Sequence, residues 1–354
     1  MSGTEENITY ESLLELTGSI KDQFIGPYKN NQEALRSIKS QTKLQESDPL
    51  TEVGKLAKIL KAYSTKLGII CDPKKLHDNY DAAFKELRNY SDSLFYLLSL
   101  LPLFIKEEGE EYAEFLVDNI LTQVSSLLNG TEVLCDEIEN KGNENKENRL
   151  MSIGMIWAAC DAMEAIVKGG NVGILTKKIS LSCGLVDDVL NDINEWLEDP
   201  QLDDMTLMEN DTDSLEELQE GIDKLSFGEE EERAIERIKD FLTEWQTKIK
   251  MIKLLLTSFS KSISMKSNTP IKHVGAKLDQ LNKLHQIVVQ NLDELISDVF
   301  MSGATFEVEE MEESITDLNA TLKSMVKIIK EISKQDPKKS KWIDVWQNKF
   351  FEEN

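Results

Sequence analysis

The chain has 354 residues with 40 Lys plus Arg against 65 Asp plus Glu, a formal net charge of −25. A surface of that sign repels a phosphate backbone, which argues against sequence-independent nucleic-acid binding by the whole molecule. Its 40% hydrophobic content suffices for a real core, which excludes disorder throughout, and its length allows one large or two ordinary domains.

Met1 to Tyr10 carries Glu5 and Glu6 and no apolar run, the pattern of neither a secretory signal nor a transit peptide. Helical periodicity begins at Asp48-Pro49, an N-cap and first-turn proline followed by Val53, Leu56, Leu60, Tyr63 and Leu67 at steps of three and four. Asp72-Pro73 repeats the start signal, and Leu76, Tyr80, Phe84, Leu87, Leu94, Leu98 and Leu101 predict one continuous helix up to Pro102. The greasiest stretch, Leu94 to Ile105, is broken by Ser99 and Pro102 and falls short of the ~20 residues a spanning helix needs. A third helix is expected from about Glu108 to Asn129, with Gly130 as its C-terminal cap. The polar Asn140 to Asn148 reads as a loop.

Leu150, Ile153, Trp157, Cys160, Met163 and Ile166 then predict a helix stopped by Gly169-Gly170, after which Asn171 caps the next, carrying Ile174, Ile179, Val186, Val189, Ile193 and Leu197. From Glu198 to Glu232 there are 15 acidic residues against one basic residue, Lys224, so these 35 positions hold −14 of the −25. A block of that kind repels itself and reads as a solvated linker, in which Leu215 to Leu225 can form a short helix on a partner. Ile235 to Leu256, Ile271 to Val299 and Val308 to Ile329 follow the same three-and-four spacing, and Asp336-Pro337 starts a last short helix. No stretch alternates with period two for long enough to make a strand. The expected fold is all-α: antiparallel helical bundles, with an N-terminal bundle over 1–197, an acidic linker over 198–232 and a C-terminal bundle part over 233–354.

Reactive chemistry finds little support. Three residues before His77, His273 and His285 stand Lys74, Pro270 and Asn282, so the Glu-x-x-His pairs of a di-iron bundle are missing, as are Cys-x-x-Cys and His-x-x-x-His. Cys71, Cys135, Cys160 and Cys183 are widely spaced and read as free thiols of a reducing interior. Asp211 to Ser214 lacks the third ligand, glycine and closing glutamate of a calcium loop, and Gly169 to Gly173 lacks the Lys-Ser/Thr of a P-loop and reads as a hinge. The expectation is a non-enzyme with no metal and no cofactor.

What remains are surfaces. Lys323, Lys327, Lys330 and Lys334 share one helix face that Lys338, Lys339 and Lys341 extend, a dock for an acidic partner or for the acidic linker, or simply a solvated face. Trp342, Trp346 and Phe350 form an aromatic stripe that serves core packing or a partner. Thr206, Ser214 and Ser226 each precede a glutamate by three residues, which makes them candidates for regulatory phosphorylation. A helical scaffold that binds membranes or vesicle proteins through the lysine face is the competing reading.

The helix Ile156-Trp157-Ala158-Ala159-Cys160-Asp161-Ala162-Met163, with the acidic helix end Asp187 to Asp199 one helix later, resembles the GCIP family of cyclin-D-interacting proteins. The order of features is similar too: the aromatic-leucine run Phe95 to Leu98 ending at Pro102, the Trp-x-x-Cys helix, the acidic middle, Lys248 to Lys253, and a pair of amphipathic helices from near Leu278. The resemblance spans roughly Tyr80 to Ile332. It implies a non-enzymatic interaction protein of cytoplasm and nucleus that binds cyclin-like or helix-loop-helix proteins and negatively regulates cell-cycle progression. No direct DNA binding is expected, membrane contact is a minor alternative, and the chain is expected to be a monomer or weak dimer.

Overall fold

The computed structural model describes residues 8–105, 111–140, 150–202, 220–262, 274–334 and 336–351, and no strand occurs among them. The all-α expectation is met. The chain divides into two compact units, Met1–Ile174 with Lys272–Ala276, and Leu175–Ile271 with Lys277–Asn354.

The first unit opens with α1 (Tyr10–Ile20), which runs through a π-turn (Lys21–Ile25) into the short α2 (Gly26–Tyr28), followed by α3 (Gln32–Arg36). Thr9 begins α1 with a capping box, its hydroxyl accepting from the Ser12 amide. The larger helices are α4 (Pro49–Ile70), α6 (Tyr80–Leu100), α7 (Glu114–Glu139) and the first half of α8 (Met151–Glu198). Asp48 caps α4 by accepting from the Thr51 amide at 2.9 Å, as the Asp-Pro signal predicts. Lys61 pairs with Asp161 and Lys58 with Glu164, while Gly68 faces Ile153, so α4 and α8 run antiparallel. In the interior the Tyr90 hydroxyl meets that of Thr131 at 2.6 Å, and burial pushes the phenol's pKa up.

Three local expectations are corrected. Asp72-Pro73 does start a helix, but only α5 (Pro73–Leu76); Asn79 donates to the Lys75 carbonyl at 2.7 Å, and α6 begins afresh at Tyr80. Gly130 does not end α7, which starts at Glu114 and continues to Glu139. It is a close-approach glycine instead: a Cβ there would meet Ile156 Cγ1 at 3.0 Å and the Ile156 amide nitrogen at 3.1 Å. Asn171 is not a helix cap; its side chain accepts from the Ala113 amide at 3.0 Å and donates to the Glu111 carbonyl at 2.8 Å, bracing the entry to α7. The α8 helix passes the Gly169-Gly170 hinge through a kink, with Gly170 at φ 57, ψ −162, a conformation open essentially to glycine alone.

The second unit comprises the remainder of α8, α9 (Glu220–Ser262), α10 (Val274–Ser302) from Lys277 onward, α11 (Glu312–Ile332) and α12 (Pro337–Phe351). Cys183 meets Thr257 at 3.7 Å, Asp187 pairs with Lys253, and Asn194 accepts from Gln246 at 2.6 Å, so α8 and α9 are antiparallel neighbours. Arg237 donates to the Phe306 carbonyl at 3.1 Å and fixes the turn after α10, where Phe306 packs on Phe241. Residues 220–232, read from charge as linker, are helical in α9; acids at a helix start sit at the positive end of its dipole. Residues 203–219 lie outside the described residues.

Gly130→Ala is expected to destabilise the protein by about 1–3 kcal/mol through overpacking against Ile156. Gly154→Ala on α8 of the same unit, where a Cβ meets nothing within 4 Å, should stabilise by about 0.5–1 kcal/mol. Urea midpoints of the two variants, displaced to opposite sides of the parent, are the check.

Candidate functional site

The lysine and aromatic residues singled out by the sequence belong to the α11–α12 hairpin. Asp336 starts α12 by accepting from the amides of Lys338 and Lys339, both at 3.1 Å. Lys330 donates to Gln347 at 2.7 Å and pairs with Asp344 at 2.6 Å, so its charge is spent inside the hairpin. The Lys323 ammonium lies 5.1 Å from the Phe351 ring centroid. Lys327, Lys334, Lys338 and Lys341 are exposed and hold no ion pair among the described residues. Glu331, hydrogen-bonded to Lys277 and lying in the field of Lys327 and Lys334, has its carboxyl pKa lowered.

The aromatic stripe divides. The Trp346 indole N–H donates to the Met251 carbonyl on α9 at 2.8 Å, and its ring stacks on Phe350 at 4.9 Å. Both are buried, which makes them anchors of α12 on its own unit, while Trp342 is half-exposed and Val345 exposed. Ser226 falls in α9, whereas Thr206 and Ser214 lie outside the described residues.

Lys339 departs from the face to which the sequence assigns it. It is 7% exposed, and its ammonium lies 5.3 Å from the Phe259 ring centroid with no hydrogen-bond partner among the described residues. Burial pulls its pKa down to about 8, against a smaller upward pull from Asp336. The signal was present: Lys339, Ile343, Trp346 and Phe350 step by four, three and four, and all four are buried. A depressed pKa in the fold means stability is full above the unfolded value of 10.5 and is lost as pH falls through 8, so at neutral pH the charge opposes folding. Lys339→Met, which keeps the apolar stem, should therefore raise stability by about 1–3 kcal/mol at pH 7. Denaturant unfolding at pH 7 and pH 10 checks it, with the gain shrinking at the higher pH.

A second buried polar group joins α8 to α10. His285, 1% exposed, has Nδ1 3.1 Å from the Ser182 hydroxyl and Nε2 3.3 Å from Asn282 Oδ1. Burial, with a contribution from Lys178, lowers its pKa to about 4, so the ring is neutral at physiological pH. A serine bonded to a neutral imidazole resembles half of a catalytic dyad, but both side chains are buried, where no substrate reaches them. Cys71, Cys135 and Cys160 are likewise protonated thiols, their pKa pushed up to about 12 by burial. Among the described residues no three His, Cys, Asp or Glu side chains converge to hold a metal ion, and no helix is long and apolar enough to cross a membrane. Stability from His285 is full above pH 6.5 and lost as pH falls through 4, about 3 kcal/mol in all. In urea titrations a His285→Gln chain should lose that part of the acid destabilisation.

Comparison with known proteins bears on the chain almost from end to end. The N-terminal domain model of the Grap2 and cyclin-D-interacting family matches residues 52–199, and its C-terminal domain model matches residues 187–327. A protein of Saccharomyces cerevisiae, itself described as uncharacterized, is 36% identical over 360 residues, covering 99% of both chains. A Schizosaccharomyces pombe protein, also uncharacterized, is 22% identical over 324 residues, 88% of both chains. With both family domains present in order, and together spanning α4 to most of α11, the chain belongs to the GCIP, or Grap2 and cyclin-D-interacting, family.

Proposed function

We propose that the chain is a non-enzymatic helical adaptor that binds cyclin-like or helix-loop-helix proteins and through them restrains cell-cycle progression in cytoplasm and nucleus. The observation that carries this reading beyond the family name is the α11–α12 hairpin. Lys327, Lys334, Lys338 and Lys341 stand exposed beside a half-exposed Trp342, on a chain whose net charge is −25. A local positive field of that kind selects an acidic partner surface and speeds the encounter. In this reading the acidic stretch 198–232, whose residues 220–232 form the start of α9, is regulatory, and phosphate on Thr206, Ser214 or Ser226 adds negative charge that competes for the same lysines.

Affinity purification with mass spectrometry tests it. The parent chain is expected to recover a cyclin-like or helix-loop-helix protein. Charge reversal at Lys327, Lys334, Lys338 and Lys341 together should lower that recovery at least tenfold, roughly 1.4 kcal/mol, with the circular dichroism spectrum intact. Undiminished recovery would remove the hairpin from the binding surface. Sedimentation with anionic liposomes through the same lysines, with no protein partner recovered, would favour a membrane scaffold.

A further inference from the structure

A different surface lies at one end of the second unit, where α8 and α10 finish side by side. Ser182 meets His285 at 3.1 Å, and near the helix ends the Trp196 and Phe300 ring centroids lie 6.3 Å apart, so the two helices run parallel. Their ends leave apolar surface in water. Trp196 and Phe300 are only half-buried, and Met301, next in the chain, is 79% exposed. Val308, in the turn that leads from α10 to α11, is 43% exposed. Aromatic rings supply large contact area, and methionine adapts its shape to what it meets.

The charges around this patch say what covers it. Residues 179–202 hold six acids and residues 284–322 hold nine, and neither stretch contains a Lys or Arg. Asp192 lies one turn before Trp196 and Asp298 one turn before Met301. Both carboxylates are exposed, as are Glu195 and Glu309, and all four are in no ion pair among the described residues. The α9 helix starts at the same end, but its Arg237 is held by the Phe306 carbonyl at 3.1 Å and by Glu307 at 3.5 Å. Arg233 and Lys239, also on α9, stand among Glu230 to Glu232, Glu236 and Asp240. The stretch 203–219 has no Lys or Arg either, so it supplies no countercharge.

Nothing local favours this crowding. Glu195 and Glu198 close α8 at the negative end of its dipole, Asp298 stands near the end of α10, and neither helix has a basic residue in its last turn. Cations from outside relieve both the mutual repulsion and the opposition of the dipoles.

We propose that this surface docks a basic amphipathic helix of a partner protein, with apolar side chains on Trp196, Phe300 and Met301 and lysines or arginines among the carboxylates around them. Nucleic acids and anionic membranes have the wrong sign for it. The site uses none of the hairpin lysines and takes a partner of opposite charge, so it stands or fails independently of the function proposed there.

The test is fluorescence anisotropy on the full chain, with a labelled synthetic helix carrying leucines at i, i+3, i+4 and i+7 and lysines on its other face. One comparison peptide has glutamates in place of the lysines, and a second has serines in place of the leucines. The parent peptide should bind saturably and about tenfold or more tighter than either comparison. Asp192→Lys with Asp298→Lys should weaken it about tenfold, and Met301→Ser about threefold, with melting curves like the parent's because all three side chains are exposed. Asp81→Lys with Asp92→Lys, an equal charge change at exposed sites on α6, should leave binding unchanged. Absence of saturable binding at millimolar peptide overturns the proposal. So does an equal loss from the α6 reversals, which would make the attraction a property of the whole acidic chain, or equal binding by the serine peptide, which would remove the apolar patch from the contact.

Discussion

The first half of α8 lies against α4 and α7 more closely than an ordinary Cβ contact, and the first unit is built around that packing. Cβ atoms at Gly54, Gly68 and Gly130 would meet Val167, Ile153 and Ile156 at 3.1, 3.0 and 3.0 Å. Two glycines are on α4 and one on α7, and all three face α8, which therefore packs deeper than ordinary side chains would allow. Packing at that depth gains dispersion contacts that a slightly wider spacing forfeits. The buried Tyr90–Thr131 hydrogen bond ties α6 to α7, and a buried phenol without its partner costs more than the bond contributes.

Ion pairs fasten the N-terminal segment of the first unit. Lys21 holds Asp136 and Glu139 at 2.6 and 2.7 Å, Lys29 holds Glu132, and Arg36 holds Glu114 and Asp118, which fastens the α1–α3 segment along one flank of α7. Burial alone would pull the Lys21 pKa down, but its two carboxylates outweigh burial and raise it to about 12. Half-exposed pairs of this kind contribute little stability each, so their main effect is to set the register of the segment on α7. Lys74 and Lys75 in one unit, and Lys327, Lys334, Lys338 and Lys341 in the other, are cations with no ion pair among the described residues.

Much of the fold was legible because burial follows helical period: Val53, Leu60 and Leu67 are buried where the stripe on α4 places them, as are Leu278, Leu281, Val288 and Leu292 on α10. What was not legible depends on neighbours distant in sequence. Gly130 looks like a cap, and only the presence of Ile156 across the interface explains a glycine in mid-helix. Asn171 follows a double glycine as a cap would, but its amide is taken by Ala113 and Glu111 from the loop before α7. On the lysine face the period-based reading kept Lys339 outside because charge outweighed position. Its place in the stripe with Ile343, Trp346 and Phe350 was the better guide.

The polar groups that do enter the interior bear on function. Ser182, His285, Cys135 and Cys160 have chemistry available in principle, yet burial keeps the imidazole neutral and the two thiols protonated. In the second unit α12 holds its aromatic anchors beside the Lys339 ammonium, which has no hydrogen-bond partner among the described residues, so the hairpin is held less firmly than the contacts of Trp346 and Phe350 alone imply.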